Sequence, residues 1–135
     1  MEYKELMRLA CEARERAYAP YSGFAVGAAL LSKSGRVYTG CNVENAAFSP
    51  TNCAERTAFF KAVSEGKRDF VAIAITGGKI GEKTGQICTP CGVCRQVMAE
   101  FCRGDFVIVL GNEDSLAQHT LAELLPMSFL PESLA

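Results

Sequence analysis

Phe70-Val71-Ala72-Ile73-Ala74-Ile75-Thr76 is an apolar run without a single charge. It is strand length, and its β-branched residues favour extended backbone. A strand that is apolar on both faces must be covered on both faces. The stretch therefore predicts a sheet enclosed between helices. Upstream, Cys53 to Ser64 reads as a helix closed by Gly66. Downstream, Gly77 to Thr89 reads as a flexible, glycine-rich connection to a helix over Pro90 to Cys102, and Phe106 to Leu110 reads as a second buried strand. Nearer the start, Phe24 to Leu31 and Arg36 to Gly40 form a hairpin around Gly35. Leu6, Leu9, Ala10, Ala13 and Ala17 recur at helical spacing, which predicts a helix from Tyr3 to Tyr18 ended by Pro20. Cys41 to Asn52, with Pro50, has no period and reads as a loop. Thr120 to Leu124 predicts a short helix stopped by Pro126, and the tail beyond Met127 carries Phe129 and Leu130 with little local core to receive them. The order is α-β-β-α-β-α-β-α, which implies a mixed sheet with helices on both faces.

Composition narrows the function. The 135 residues fit a single domain spanning 1–135. Fourteen Lys and Arg against 15 Asp and Glu give a net charge of −1. No basic stripe is present, so a nucleic-acid polymer is not the expected partner. The charged, mixed N-terminus does not read as a secretory signal, and no apolar run reaches the ~20 residues that cross a bilayer. Neither a membrane nor an export route is expected, and the expected location is the cytoplasm.

Seven cysteines in so short a chain favour metal or catalytic use over a disulfide framework in a reducing compartment. Cys11 and Cys102 lie in apolar-periodic stretches and read as small core side chains. Cys91-Gly92-Val93-Cys94 is different. Thr89 is a candidate N-cap and Pro90 suits a first helical turn, which places both thiols where the helix dipole favours thiolate. Cys53 also opens a helix, with Asn52 as its candidate cap. Three thiolates at two helix starts make a soft cage suited to zinc. A structural site requires four protein ligands, whereas a catalytic site keeps three and leaves a vertex for water. The only histidine, His119, lies far from both motifs in sequence. Three ligands plus water is one reading; a closed site completed by Cys88 or Cys41 is the other. Glu55 admits two readings as well. It can complete a capping box with Asn52, or its carboxylate can stand beside the metal as general base and acid.

Cys53-Ala54-Glu55 followed by Pro90-Cys91-x-x-Cys94 is the three-cysteine form of the zinc deaminase pattern. With Tyr18-Ala-Pro-Tyr-Ser22, Phe24-x-Val-Gly-Ala-Ala-Leu30, Gly40-Cys-Asn-Val-Glu-Asn-Ala46, Asn52-Cys-Ala-Glu-Arg-Thr57 and Thr89-Pro-Cys-Gly-x-Cys-Arg-Gln96, the chain resembles the cytidine deaminase family in its small homotetrameric form over nearly its whole length. The resemblance implies a three-layer α-β-α fold with a mixed sheet of about five strands. It implies hydrolytic deamination of cytidine and 2′-deoxycytidine to the uridine compounds and ammonia, in pyrimidine salvage, with one Zn²⁺ per subunit. It assigns the metal to Cys53, Cys91 and Cys94, and the proton shuttle to Glu55. It assigns the ribose 3′-hydroxyl to Asn42 and Glu44, packing on the base to Phe24, and the pyrimidine carbonyl to the backbone amide of Ala54. Arg56 is implied to donate to the thiolates. Three thiolates and one Zn²⁺ leave a net charge of about −1, which a guanidinium offsets. Phe129 is implied to reach a neighbouring subunit's site. Phe48 stands where relatives often carry tyrosine, so any hydrogen bond from that hydroxyl is lost.

Three rival readings make different demands. A deaminase of nucleotides needs a basic cluster near the sugar loop, but Asn42-Val43-Glu44 offers a carboxylate, which repels phosphate. A non-catalytic zinc module needs four closed ligands, and a redox dithiol needs neither Glu55 nor a third cysteine.

Overall fold

The apolar run is the core of β3 (Phe70–Lys79), the central strand of a five-stranded sheet ordered β2-β1-β3-β4-β5. This is seen in a computed structural model that describes residues 1–84 and 87–134. The elements are α1 (Tyr3–Arg14), β1 (Phe24–Ser32), β2 (Val37–Cys41), α2 (Ala54–Ser64), β3, α3 (Gly92–Phe101), β4 (Val107–Gly111), β5 (Leu116–Thr120) and α4 (Leu121–Leu124), followed by a 3₁₀ turn at Pro131–Leu134. β1 pairs antiparallel with both β2 and β3, and β5 pairs antiparallel with β4. β3 and β4 are parallel, with α3 as their crossover. The sheet is therefore mixed. Among the described residues, no helix is long and apolar enough to cross a membrane.

The two-residue period of β3 divides the core. Ile73 and Ile75 join Ala28, Leu30, Phe59, Met98, Ile108 and Leu110 on the face covered by α2 and α3. Ala72 and Ala74 join Leu6, Met7, Ala10, Ala29 and Val109 on the face covered by α1. Each fully buried large aliphatic side chain contributes roughly 1.5–3 kcal/mol, so the larger cluster holds α2 and α3 firmly to the sheet. Small residues line the α1 face and let that helix approach closely. A Cβ on Gly27 would lie 2.0 Å from the Ala10 carbonyl oxygen.

The structure departs from the sequence expectations in four places. α1 ends at Arg14, not Tyr18. The Arg16 and Ala17 amides bond back only three residues, and the Tyr18 amide donates to the Asn42 carbonyl instead, pulling the chain into a bridge with Val43. Arg14 then braces the paired ends of β1 and β3, donating to the carbonyls of Ala25, Gly78 and Lys79. Second, Gly77, Gly78 and Lys79 continue β3, because β1 extends far enough to pair with them; Gly85 and Gln86 of the expected connection lie outside the described residues. Third, both cysteine-bearing helices start later than expected. Their N-caps are Cys53 and Cys91 rather than Asn52 and Thr89. Fourth, β5 was not expected: the patterning predicted four strands, whereas the family resemblance implied five. Leu116-Ala117-Gln118-His119-Thr120 is half polar, as suits an edge strand.

Candidate active site

Two helix N-termini meet beside the sheet, and each brings sulfur. Cys53, as N-cap of α2, has the extended backbone of a residue just outside a helix. Cys91 does the same for α3, and its Sγ accepts from the Cys94 amide at 3.5 Å. α2 and α3 are fixed where they are by packing on one core cluster. Arg95 fastens the turn further, its guanidinium donating to Pro90 O at 2.8 Å and to Leu124 O at 2.6 Å.

The result is a sulfur triad. Cys53 Sγ lies 3.8 Å from Cys91 Sγ, and Cys91 Sγ lies 3.5 Å from Cys94 Sγ, with all three within 4.8 Å of one another. A disulfide would bring two sulfurs to about 2.05 Å, and all three cysteines are free. Two thiolates bound tetrahedrally to zinc at ~2.3 Å stand about 3.8 Å apart. The spacing therefore fits a shared zinc ion. Neither Cys88 nor Cys41 belongs to the group. The closed four-cysteine reading is not supported, and three ligands leave a vertex for water or substrate.

The electrostatics favour thiolate at Cys53. Hydrogen bonding from Cys94 and from Arg56 draws its pKa well below that of an ordinary thiol. Arg56 Nη2 donates to Cys53 Sγ at 3.2 Å. Cys94 moves in the opposite direction because it holds the proton that it donates to Cys53, and because it is buried. The pair thus shares a proton that a metal ion would displace. Arg56 Nε is buried and has no hydrogen-bond partner among the described residues.

Glu55 sits in the first turn of α2 and is only 5% exposed. No cation pairs with it among the described ion pairs. Burial pushes its carboxyl up to about 7, and the negative charge at Cys53 acts in the same direction. The capping box with Asn52, the alternative reading, does not form. Asn52 spends its amide on Thr57 Oγ1, and the cap position has moved to Cys53. A carboxyl that titrates near neutrality can both accept and release a proton.

The remaining expected residues surround the triad differently. Asn42 is 9% exposed and braces β1: its Oδ1 accepts from the Val26 amide and its Nδ2 donates to Phe24 O, both at 2.8 Å. One lone pair and one N–H of its amide remain free for a ligand. Glu44 accepts from the amides of Tyr21 and Ser22 at 3.0 Å and from the Ser22 hydroxyl, and these bonds hold its carboxyl below the usual range. Together they tie the loop after β2 to the turn before β1. Phe24 opens β1 and is 41% exposed. Ala54 is the first residue of α2, which leaves its amide among the unpaired donors of a helix start. Phe129 is 59% exposed; only its carbonyl is held, by Gln96 Nε2 at 2.7 Å. His119 pairs with Glu123 on β5 and α4, outside the metal group. Sequence reasoning missed three supports of the site: Arg14, Arg95 and Thr57, whose hydroxyl lies within bonding distance of the Cys41 and Cys53 carbonyls. Arg95 and Thr57 fall inside the motif blocks, but no pattern reveals which carbonyl a side chain will meet.

Comparison with known proteins yields concordant matches. Residues 1–110 match the family model for the cytidine and deoxycytidylate deaminase zinc-binding region. A cytidine deaminase of Sporosarcina psychrophila is 50% identical over 136 residues, covering 100% of this chain and 96% of that protein. A cytidine deaminase of Halalkalibacterium halodurans is 51% identical, covering 99% and 98%. The crystal structure of cytidine deaminase from Burkholderia pseudomallei superposes with a TM-score of 0.86 at 45% identity, covering 96% of this chain and 100% of that one.

Proposed function

The chain belongs to the cytidine and deoxycytidylate deaminase family, and from that membership we propose that it hydrolyses the exocyclic C–N bond of cytidine and 2′-deoxycytidine, releasing ammonia and the uridine compounds in pyrimidine salvage. The observation that carries this reading is the three-sulfur group with the buried Glu55 carboxyl on the helix start that also bears Cys53.

Cys53, Cys91 and Cys94 would hold the zinc ion. Zinc, when bound, supplies Lewis acidity that brings a water molecule towards ionisation at neutral pH. Glu55 does the proton work. It takes a proton from the attacking water and hands it to the ring nitrogen N3 as the oxygen bonds to C4, then carries the proton of the new C4 hydroxyl to the amine, so that C4=O forms as the C–N bond breaks and ammonia departs. Burial suits it to this task, because a group titrating at about 7 neither holds nor refuses a proton strongly. The Ala54 amide, at the positive end of α2, orients the pyrimidine carbonyl. Phe24 packs on the base, and the free lone pair and N–H of Asn42, with the Glu44 carboxylate, engage the ribose. Arg56 offsets the excess negative charge of three thiolates around a divalent ion.

Charge near the sugar supports a nucleoside over a nucleotide. The lowered pKa of Glu44 keeps it anionic, which disfavours a phosphate there. We further read residues 1–135 as one cytoplasmic catalytic unit that assembles as a homotetramer, with Phe129 completing a neighbour's site. Phe48, 93% exposed, and Phe129 are apolar side chains left uncovered by the single chain. An ultraviolet assay of cytidine loss, with and without a zinc chelator and with dCMP in parallel, tests the function. Zinc-dependent loss of cytidine and little loss of dCMP is the expected result; unchanged cytidine, or loss indifferent to chelation, refutes it. Sedimentation of the intact protein tests the assembly.

A further inference from the structure

Gly77 leaves β3 bare beside the active site. A Cβ there would lie 2.8 Å from Cys88 Sγ, 3.0 Å from Phe24 Cε1 and 3.1 Å from Val26 Cγ2. A thiol, an aromatic edge and a methyl group therefore converge on one side-chain-free stretch of strand. The backbone of Gly77 lacks the positive φ that favours glycine, so space rather than conformation excludes a side chain. Cys88 is not one of the clustered sulfurs and is half-buried. It is also close to the chemistry. Its thiol is pushed up to about 11, first by burial and then by the negative charges of Glu55 and Cys53.

Ring geometry says which edge of a pyrimidine such a wall meets. In the reading above, α2 takes the carbonyl through Ala54 and N3 through Glu55. C4 must face Glu55 and the sulfur group. The other ring neighbour of C4 is C5, which α2 leaves free. Cys88 and Gly77 belong to different elements, the approach to α3 and the end of β3.

We propose that Cys88, seated on Gly77 beside the Phe24 ring, walls the C5 edge of the pyrimidine pocket and sets how large a substituent that edge can carry. The inference rests on the deaminase reading. Adding or removing about one methyl's room in an apolar pocket changes discrimination by roughly 10–200-fold. Cys88→Ala should raise the ratio of kcat/KM on 5-methylcytidine to kcat/KM on cytidine at least about tenfold over the wild-type ratio. Cys88→Phe should raise KM for cytidine more than it lowers kcat. Gly77→Ala, whose Cβ would crowd the Cys88 sulfur, should also raise KM, and Gly77→Ala/Cys88→Ala should recover most of that loss. Should Gly77→Ala fail to fold, the two Cys88 variants suffice, with zinc content measured on each. A ratio within twofold of wild type in zinc-replete Cys88→Ala overturns the inference whatever the other variants show. If the wild type leaves cytidine untouched, the deaminase reading itself falls; if it turns cytidine over while the ratio stays fixed, only the wall does.

Discussion

Glu55 shows how burial decides between two uses of one side chain. At the third residue of a helix, a glutamate commonly turns back to the N-cap amide and remains in water. Here the cap is Cys53, and the carboxyl is enclosed instead. The pattern Cys-x-Glu admitted both uses, and the outcome depended on where α2 begins, by a single residue. Glu55→Gln keeps the shape and removes the exchangeable proton. Its kcat on cytidine is expected to fall by at least ~10²–10⁴, with zinc content unchanged in the same samples. Arg56 meets the sulfur group through Cys53. Arg56→Ala removes the bond to Cys53 Sγ, and zinc affinity, read by competition with a chromophoric chelator, is expected to fall ~10–100-fold. Unaltered affinity would show that the guanidinium is dispensable to the thiolates. The sulfur ligands were legible from residue type and spacing. The commitment of Asn42 to the β1 backbone was not, because a polar residue in an aperiodic loop gives no sign of the strand it will brace.

Two glycines separate fold from site at the level of elements. A Cβ on Gly27 would collide with Ala10 and Arg14 backbone on α1. On Gly40 it would lie 2.6 Å from both Ala54 O and Ala58 N, in the helix that carries Cys53 and Glu55. Either Gly→Ala change forces a helix off the sheet and is expected to destabilise by about 1–3 kcal/mol or more, measurable by urea denaturation. Only Gly40→Ala should also weaken zinc binding, since only it moves a ligand-bearing element. Equal effects on zinc would mean that α1 and α2 shift together. The long apolar strand was legible from its unbroken apolar run, and α1 from its helical period. β5 was hidden because an edge strand against β4 needs little apolar alternation; its backbone pairing and the capping box at Thr120 that follows it hold it in place. Thr120→Ala should cost about 1 kcal/mol through loss of that cap, without change in turnover.

For the molecule as a whole, the sulfur group brings together two helix starts that lie far apart along the chain. Cys53 starts α2, Cys91 and Cys94 start α3, and β3 lies between them in sequence. A zinc ion held there binds the folded chain far better than the unfolded one, so it stabilises in proportion to the logarithm of its occupancy. Stripping the metal is expected to lower the unfolding temperature by at least ~10 °C, since 1 kcal/mol moves a domain of this size by a few degrees and structural stabilisation by zinc exceeds that several-fold. The direction with pH follows from the ligands. Thiolates bind zinc and thiols do not, so protons compete with the metal for all three sulfurs. The gap in unfolding temperature between zinc-loaded and stripped protein should therefore shrink as pH falls from 8 towards 5.5, as protons reclaim the sulfurs, Cys53 last, when the ion is released. Thermal unfolding of both forms across that range measures it. A gap that stays constant with pH would mean that the ion is not held by thiolates, and a missing gap would mean that α2 and α3 owe their placement to the apolar core alone.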